Sequence, residues 1–199
     1  MTDLRRVTTF AILLALGVAL WVLEALLPPL LPLPGAKLGL SNIVVLFTML
    51  LLGLREGVYL AILRSLLGSL IGGTFLSVGF FLSFGGAVAS ALAMALGLRL
   101  FRRTFSLIGI SIIGAVVHNV TQLLLVYYLF IRQPGVLYYL PFLLWAGLAS
   151  GVVTGAILVY LERRLALTRG FSNTNIEWNW ADGENKGSPA HPRVPGQSV

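Results

Sequence analysis

Cysteine is absent from the 199-residue chain, which excludes disulfides, thiolate metal sites and cysteine nucleophiles. Acidic residues are scarce as well. Among seven Asp and Glu side chains, the two aspartates, Asp3 and Asp182, stand near the ends. A prenyl-diphosphate transferase needs clustered carboxylates to hold Mg²⁺ on a diphosphate, and the sequence has no such cluster. Nor does it contain a Walker loop, a His/carboxylate metal constellation or a nucleophile–base pair. The chain alone is therefore not expected to catalyse a reaction or to hold a metal or cofactor.

What the chain has in abundance is apolar surface. It is 57% hydrophobic and 11% charged, with a mean hydropathy of +0.91, whereas a soluble domain would be about 25% charged. A core built from so short a chain cannot bury that much, so the excess faces lipid. The net charge of +7 raises the possibility of a nucleic-acid partner. Placing the charges removes it, because most flank apolar segments in short loops.

A spanning helix needs roughly 20 apolar residues. Six stretches qualify, near 7–27, 40–54, 56–73, 77–98, 106–130 and 138–161, the second cut short by Arg55 and Glu56. Five spans, or four with a re-entrant segment, are the competing counts. Loop charge favours six. That count gives one face Arg5, Arg6, Arg55, Arg99, Arg102, Arg103, Arg163, Arg164 and Arg169, and leaves the other Lys37 and Arg132. The expected fold class is an all-α integral membrane protein, a six-helix transmembrane bundle with both termini cytoplasmic. The first stretch is too long for a signal peptide, and Glu24-Ala25-Leu26-Leu27-Pro28 lacks a small-residue cleavage site. The bundle should occupy residues 1–170. The polar, Gly- and Pro-rich residues 171–199 cannot bury a core and read as a disordered tail. In that tail Trp178 and Trp180 either touch the membrane interface or have no role, and His191 carries no site signal.

Helices in lipid associate through close packing, which small residues permit. Rows with four-residue spacing share a helix face: Gly57, Ala61, Ser65, Ser69 and Gly73; Gly79, Ser83, Ala87, Ala91 and Ala95; Gly147, Gly151 and Gly155. All three read as packing faces within the bundle. The row Ala11, Ala15, Ala19 in the first span either packs inside or presents a smooth face to another membrane protein.

A few polar groups remain deep in these spans, and such groups usually mark function. At about 100° per residue, Ser111, His118 and Gln122 share one face of the fifth span with Asn119 at its border. The stripe suits a polar or anionic ligand head; an interhelical hydrogen-bond cluster is the competing explanation. Arg64 lies in the third span, on a row with Gly68 and Gly72 that leaves space beside its guanidinium. A planar five-donor group matches carboxylate or phosphate. Pairing with Glu24 or Glu56, or snorkelling to the interface, are the alternatives. The apolar, proline-stiffened loop from Pro28 to Asn42 should fold back as a lid, bringing Lys37, Ser41 and Asn42 toward a cavity. Ser41 or Asn42 as the cap of the second helix competes with that role.

The segments PGAKLGLSN, LREG, LRSLLGSLIGG and GAVVHNVTQ resemble the bacterial membrane family called Gx transporter, also known as heptaprenyl diphosphate synthase component I. The likeness covers about residues 7 to 165. That family is grouped with the S components of energy-coupling factor (ECF) transporters. The resemblance implies a six-helix bundle in the bacterial cytoplasmic membrane that captures a small substrate from outside. Implied partners are a membrane T component and two ATPases, which would consume the ATP. It also implies that an Ala-x-x-x-Ala row on the first helix docks on the T component, a pattern matched by Ala11, Ala15 and Ala19. The synthase name implies something else: an accessory membrane subunit, working with a prenyltransferase subunit in making the menaquinone side chain.

Overall fold

The computed structural model describes residues 3–26, 39–100 and 106–169. Residues 28–38 of the proposed lid, Lys37 among them, and the tail from residue 171 lie outside the described residues. Among those described, six α-helices follow one another: α1 (Asp3–Leu26), α2 (Ser41–Leu51), α3 (Leu54–Ile71), α4 (Val78–Leu100), α5 (Leu107–Leu125) and α6 (Leu140–Arg169). A π-helical turn, Val126–Ile131, extends α5, and a 3-10 turn, Pro134–Tyr139, leads into α6.

Four segments are long and apolar enough to cross a membrane: Leu4–Glu24, Val78–Leu100, Leu107–Ile131 and Pro134–Glu162. The other two fall short for different reasons. α3 carries Arg55, Glu56 and Arg64 within its 18 residues. α2 has 11 residues, about 16 Å at the usual rise, roughly half a hydrocarbon core. α2 is apolar because it is central: it contacts each of the other five helices, and seven of its residues, from Ser41 to Met49, are buried. Long apolar outer helices with exposed faces, such as Ile12, Leu16 and Leu23 on α1, define a multi-pass membrane protein.

Close contacts fix the helix directions. On α6, a Cβ at Gly147, Gly151 or Gly155 would meet the backbone of Val116, Ile112 or Ile108 in turn. That descending series makes α5 and α6 antiparallel and nearly touching, as the small-residue row predicts. Met49 fills the notch at Gly57, running α2 against α3. Gly17 meets Leu60 and Arg64, while Trp21 covers Gly68 and Gly72, so α1 and α3 run parallel. The α3 row ends at Ser69, because Gly73 is exposed and takes a positive φ of 63° in the turn beyond the helix. Gly53 similarly takes a φ of 131°, which allows α2 to reverse into α3 with a two-residue link.

Alternation brings the start of α1 and the end of α6 to the same end of the bundle. There Arg6 donates to Glu56 at 2.8 Å and to the Leu52 carbonyl at 3.2 Å, tying α1 to the α2–α3 link. Two apolar clusters divide the interior. The larger, with Leu13, Leu46, Met49, Leu60, Met94, Ile110 and Leu158, fills the half nearer that end. The smaller, Leu82, Leu123, Val126, Val136 and Leu143, joins α4, α5 and α6 at the other end. Between them lies the polar region.

Candidate functional site

The polar region begins with Glu24, two residues before the end of α1. Its carboxylate accepts from the Leu40 amide (2.8 Å), the Ser41 amide (3.4 Å) and the Ser41 hydroxyl (3.1 Å). The first amides of a helix have no intrahelical partner and carry a partial positive charge. Glu24 thus caps α2 from a different helix. Neither Ser41 nor Asn42 caps it, since Leu40 occupies the cap position and supplies no side-chain bond. The next amides, of Asn42 and Ile43, bond the carbonyls of Gly39 and Leu40.

Capping by Glu24 leaves the Asn42 side chain available for Arg64. The Arg64 Nη2 donates to Asn42 Oδ1 at 2.6 Å, and the residue is 1% exposed, so it does not snorkel. Glu56 is taken by Arg6. Glu24 acts on Arg64 as a neighbouring opposite charge, but no ion pair within 4.0 Å joins them among the described residues. Arg64 Nε and Nη1, and Asn42 Nδ2, are buried with no hydrogen-bond partner among the described residues. Leaving such donors unmade in an interior costs on the order of 1–3 kcal/mol each.

Arg64 borders a narrow cleft lined also by Trp21, Glu24, Gly39, Ser41, Ser65, Ser83, Ala87 and His118, and Asn42 stands behind it, bonded to the guanidinium. The cleft has room for about one water molecule. The space expected at Gly68 and Gly72 is filled by the Trp21 indole, whose ring atoms lie 2.6 to 3.6 Å from where their Cβ atoms would sit. Trp21 is therefore a wall of the cleft, which sequence reasoning missed, as it missed Ser65 and Ser83.

The stripe on α5 divides between two neighbours. Ser111 shares a hydrogen bond of 2.6 Å with Thr154 on α6, and Asn119 donates to the Leu143 carbonyl on α6 at 3.1 Å. His118 and Gln122 turn the other way, to Gly86 on α4, where a Cβ would lie 3.0 Å from the imidazole. Of the stripe, His118 reaches the cleft; Ser111, Asn119 and Gln122 are buried without lining it. Ala11, Ala15 and Ala19 are all exposed, on a face of α1 turned away from the bundle. No group of three or more His, Cys, Asp or Glu side chains forms a metal site among the described residues.

A multi-pass helical bundle with a buried cation at a closed cleft is the class of protein that fold and site define. Residues 13–161 match the family model described as heptaprenyl diphosphate synthase component I, and the chain belongs to that family. Its fold is similar to that of a solved structure described as the S component of a bacterial ECF transporter. The two are 24% identical with a TM-score of 0.59, covering 81% of this chain and 97% of the other. Among curated proteins, none matches the sequence.

Proposed function

We propose that the chain is the substrate-capture subunit of an energy-coupled importer. In this reading all six helices sit in the bacterial cytoplasmic membrane with both termini on the cytoplasmic side, so that the cleft opens outward. The observation that carries it is Arg64, buried where a cation is costly in lipid, lining a cleft with Nε and Nη1 unpartnered among the described residues and not spent on a carboxylate. Loop charge supports the orientation: Arg5, Arg6, Arg55, Arg99 and Arg164 gather at one end, with Arg132 at the other. The S-component likeness in fold supports the assignment to this transporter class. Its partners would be a membrane T component, docked on the exposed Ala11, Ala15, Ala19 face, and ATPase subunits that consume the ATP. Arg64 and His118 would contact substrate directly, with Asn42 orienting Arg64. Asn119 and Gln122 would hold α5 in place. Lys37 would approach from the loop over the cleft.

A second reading follows from the family description: an accessory membrane subunit for heptaprenyl diphosphate synthesis. One pair of assays separates them. Reconstituted protein is screened against a metabolite library, and it is also mixed with a soluble prenyltransferase subunit in a chain-elongation assay. Saturable binding lost in Arg64→Ala, with elongation indifferent to the chain, supports capture. Elongation that depends on the chain, with no metabolite bound, overturns it.

A further inference from the structure

We infer that the cleft takes a solute bearing a single carboxylate, held by Arg64 and Asn42, and rejects diphosphates. The inference rests on the capture reading and narrows its substrate class.

The donors come first. Arg64 Nε supplies one N–H and Nη1 two, and Asn42 Nδ2 supplies two more, all buried and unpartnered among the described residues. These groups converge from α2 and α3, because Asn42 Oδ1 already holds the guanidinium at Nη2. Every one is a donor, so the complementary group is an acceptor, and the fixed charge of Arg64 makes an anion the favoured acceptor.

Charge then limits the anion. The cleft contains one arginine, and Glu24 lines the same cleft. Glu24 is fixed by its three bonds to Leu40 and Ser41 and cannot turn away. With Arg64 and Glu24 cancelling, a monoanion leaves the site with one excess negative charge, partly met by the donors of Arg64 and Asn42 that are unpartnered among the described residues. A diphosphate would bring two or three charges against one arginine and one opposing carboxylate, in a setting where uncompensated charge is expensive.

The backbone offers no further compensation. Sites for phosphate chains exploit free amides at a helix start. Here the start of α2 is consumed: Leu40 and Ser41 donate to Glu24, and Asn42 and Ile43 to preceding carbonyls. The cleft has room for about one water molecule, and the Trp21 ring and Ala87 are apolar patches in a wall that also carries Ser65, Ser83 and His118. Either ligand requires the cleft to widen, so charge and donor supply decide between them.

The test uses the full chain in nanodiscs of zwitterionic lipid, following thermal unfolding by tryptophan fluorescence. Probes at matched millimolar concentration are benzoate, its neutral analogue methyl benzoate, inorganic phosphate and pyrophosphate. In parallel, small molecules retained through purification are extracted and identified by mass spectrometry. A ligand that binds the folded state raises the midpoint with its concentration. The expected result is a rise with benzoate and none with methyl benzoate or pyrophosphate, or a co-extracted ligand with one carboxylate. Arg64→Ala should abolish the rise. Because that variant leaves a gap in the core, Asn42→Asp serves beside it: an internal carboxylate takes up the guanidinium, and benzoate should bind at least about tenfold more weakly. Stabilisation by pyrophosphate or phosphate equal to that by benzoate overturns the proposal, as does equal stabilisation by methyl benzoate or an unweakened Asn42→Asp. A neutral or cationic co-extracted ligand also overturns it while leaving the capture reading intact. If no probe binds and nothing is co-extracted, both fall together.

Discussion

Replacing Glu24 by alanine should loosen the start of α2 far more than removal of an ordinary surface carboxylate. The side chain is 7% exposed and accepts three bonds, at 2.8, 3.1 and 3.4 Å. The two shorter ones are charge-assisted, worth about 1.5 kcal/mol each at the low end of the usual range, and the longest adds little. Glu24→Ala should thus cost about 3 kcal/mol, consistent with a lost cap of roughly 0.5–2 kcal/mol plus the buried hydroxyl of Ser41 left unmet. Hydrogen exchange reads this locally. If the amides of Leu40 and Ser41 open by local fraying, their exchange should accelerate by roughly two orders of magnitude, since about 1.4 kcal/mol is a factor of ten. Amides near Leu158, at the far end of α6, should not change. Glu24→Gln keeps one acceptor and should fall between. Acceleration below about threefold in Glu24→Ala would refute the claim that this carboxylate caps α2.

Three further outcomes follow from other contacts. Gly151→Ala would place a Cβ 2.5 Å from Ile112 Cα, and because the obstacle is backbone, α5 and α6 must separate, costing about 1–3 kcal/mol in detergent-unfolding assays; Gly135→Ala, with nothing within 4 Å, should be silent. Ser111→Ala and Thr154→Val should each cost about 0.6–1.7 kcal/mol, the range for an interhelical hydrogen bond in a membrane, and the double variant little more than either single one. Ala15→Trp should abolish copurification with a coexpressed T component while leaving the chain monodisperse, since Ala15 is exposed; unchanged copurification would remove that face as the docking surface.

The helix boundaries were legible because long apolar runs and the charges that end them act locally. Leu4–Glu24 and Val78–Leu100 fall within a few residues of the expected 7–27 and 77–98. The short central helix was less so: its apolarity looks like lipid exposure, and only tertiary structure reveals that five neighbours cover it. The site shows the same limit. Helical geometry places Ser111, Asn119, His118 and Gln122 toward one side of α5, but the crevice they enter has α4 on one wall and α6 on the other. Which wall each side chain meets depends on rotamers and on notches such as Gly86. In the sequence Glu24 reads only as a partner for Arg64, whereas the helix it caps begins 17 residues later in the chain. Trp21 could have been suspected from Gly68 and Gly72, which read equally well as room for a guanidinium or for an indole.

The larger apolar cluster bears on electrical insulation. Leu46, Met49, Leu60, Met94, Ile110 and Leu158 are each at most 1% exposed, and they lie between the cleft and the end where the chain begins. An ion or hydrated solute that reached Arg64 would meet apolar side chains packed like a protein interior, which it could pass only by shedding its hydration at high cost. Such packing closes the bundle along its axis. On the capture reading, release toward the cytoplasm would therefore require α2 to part from its neighbours, or the body to turn as a whole.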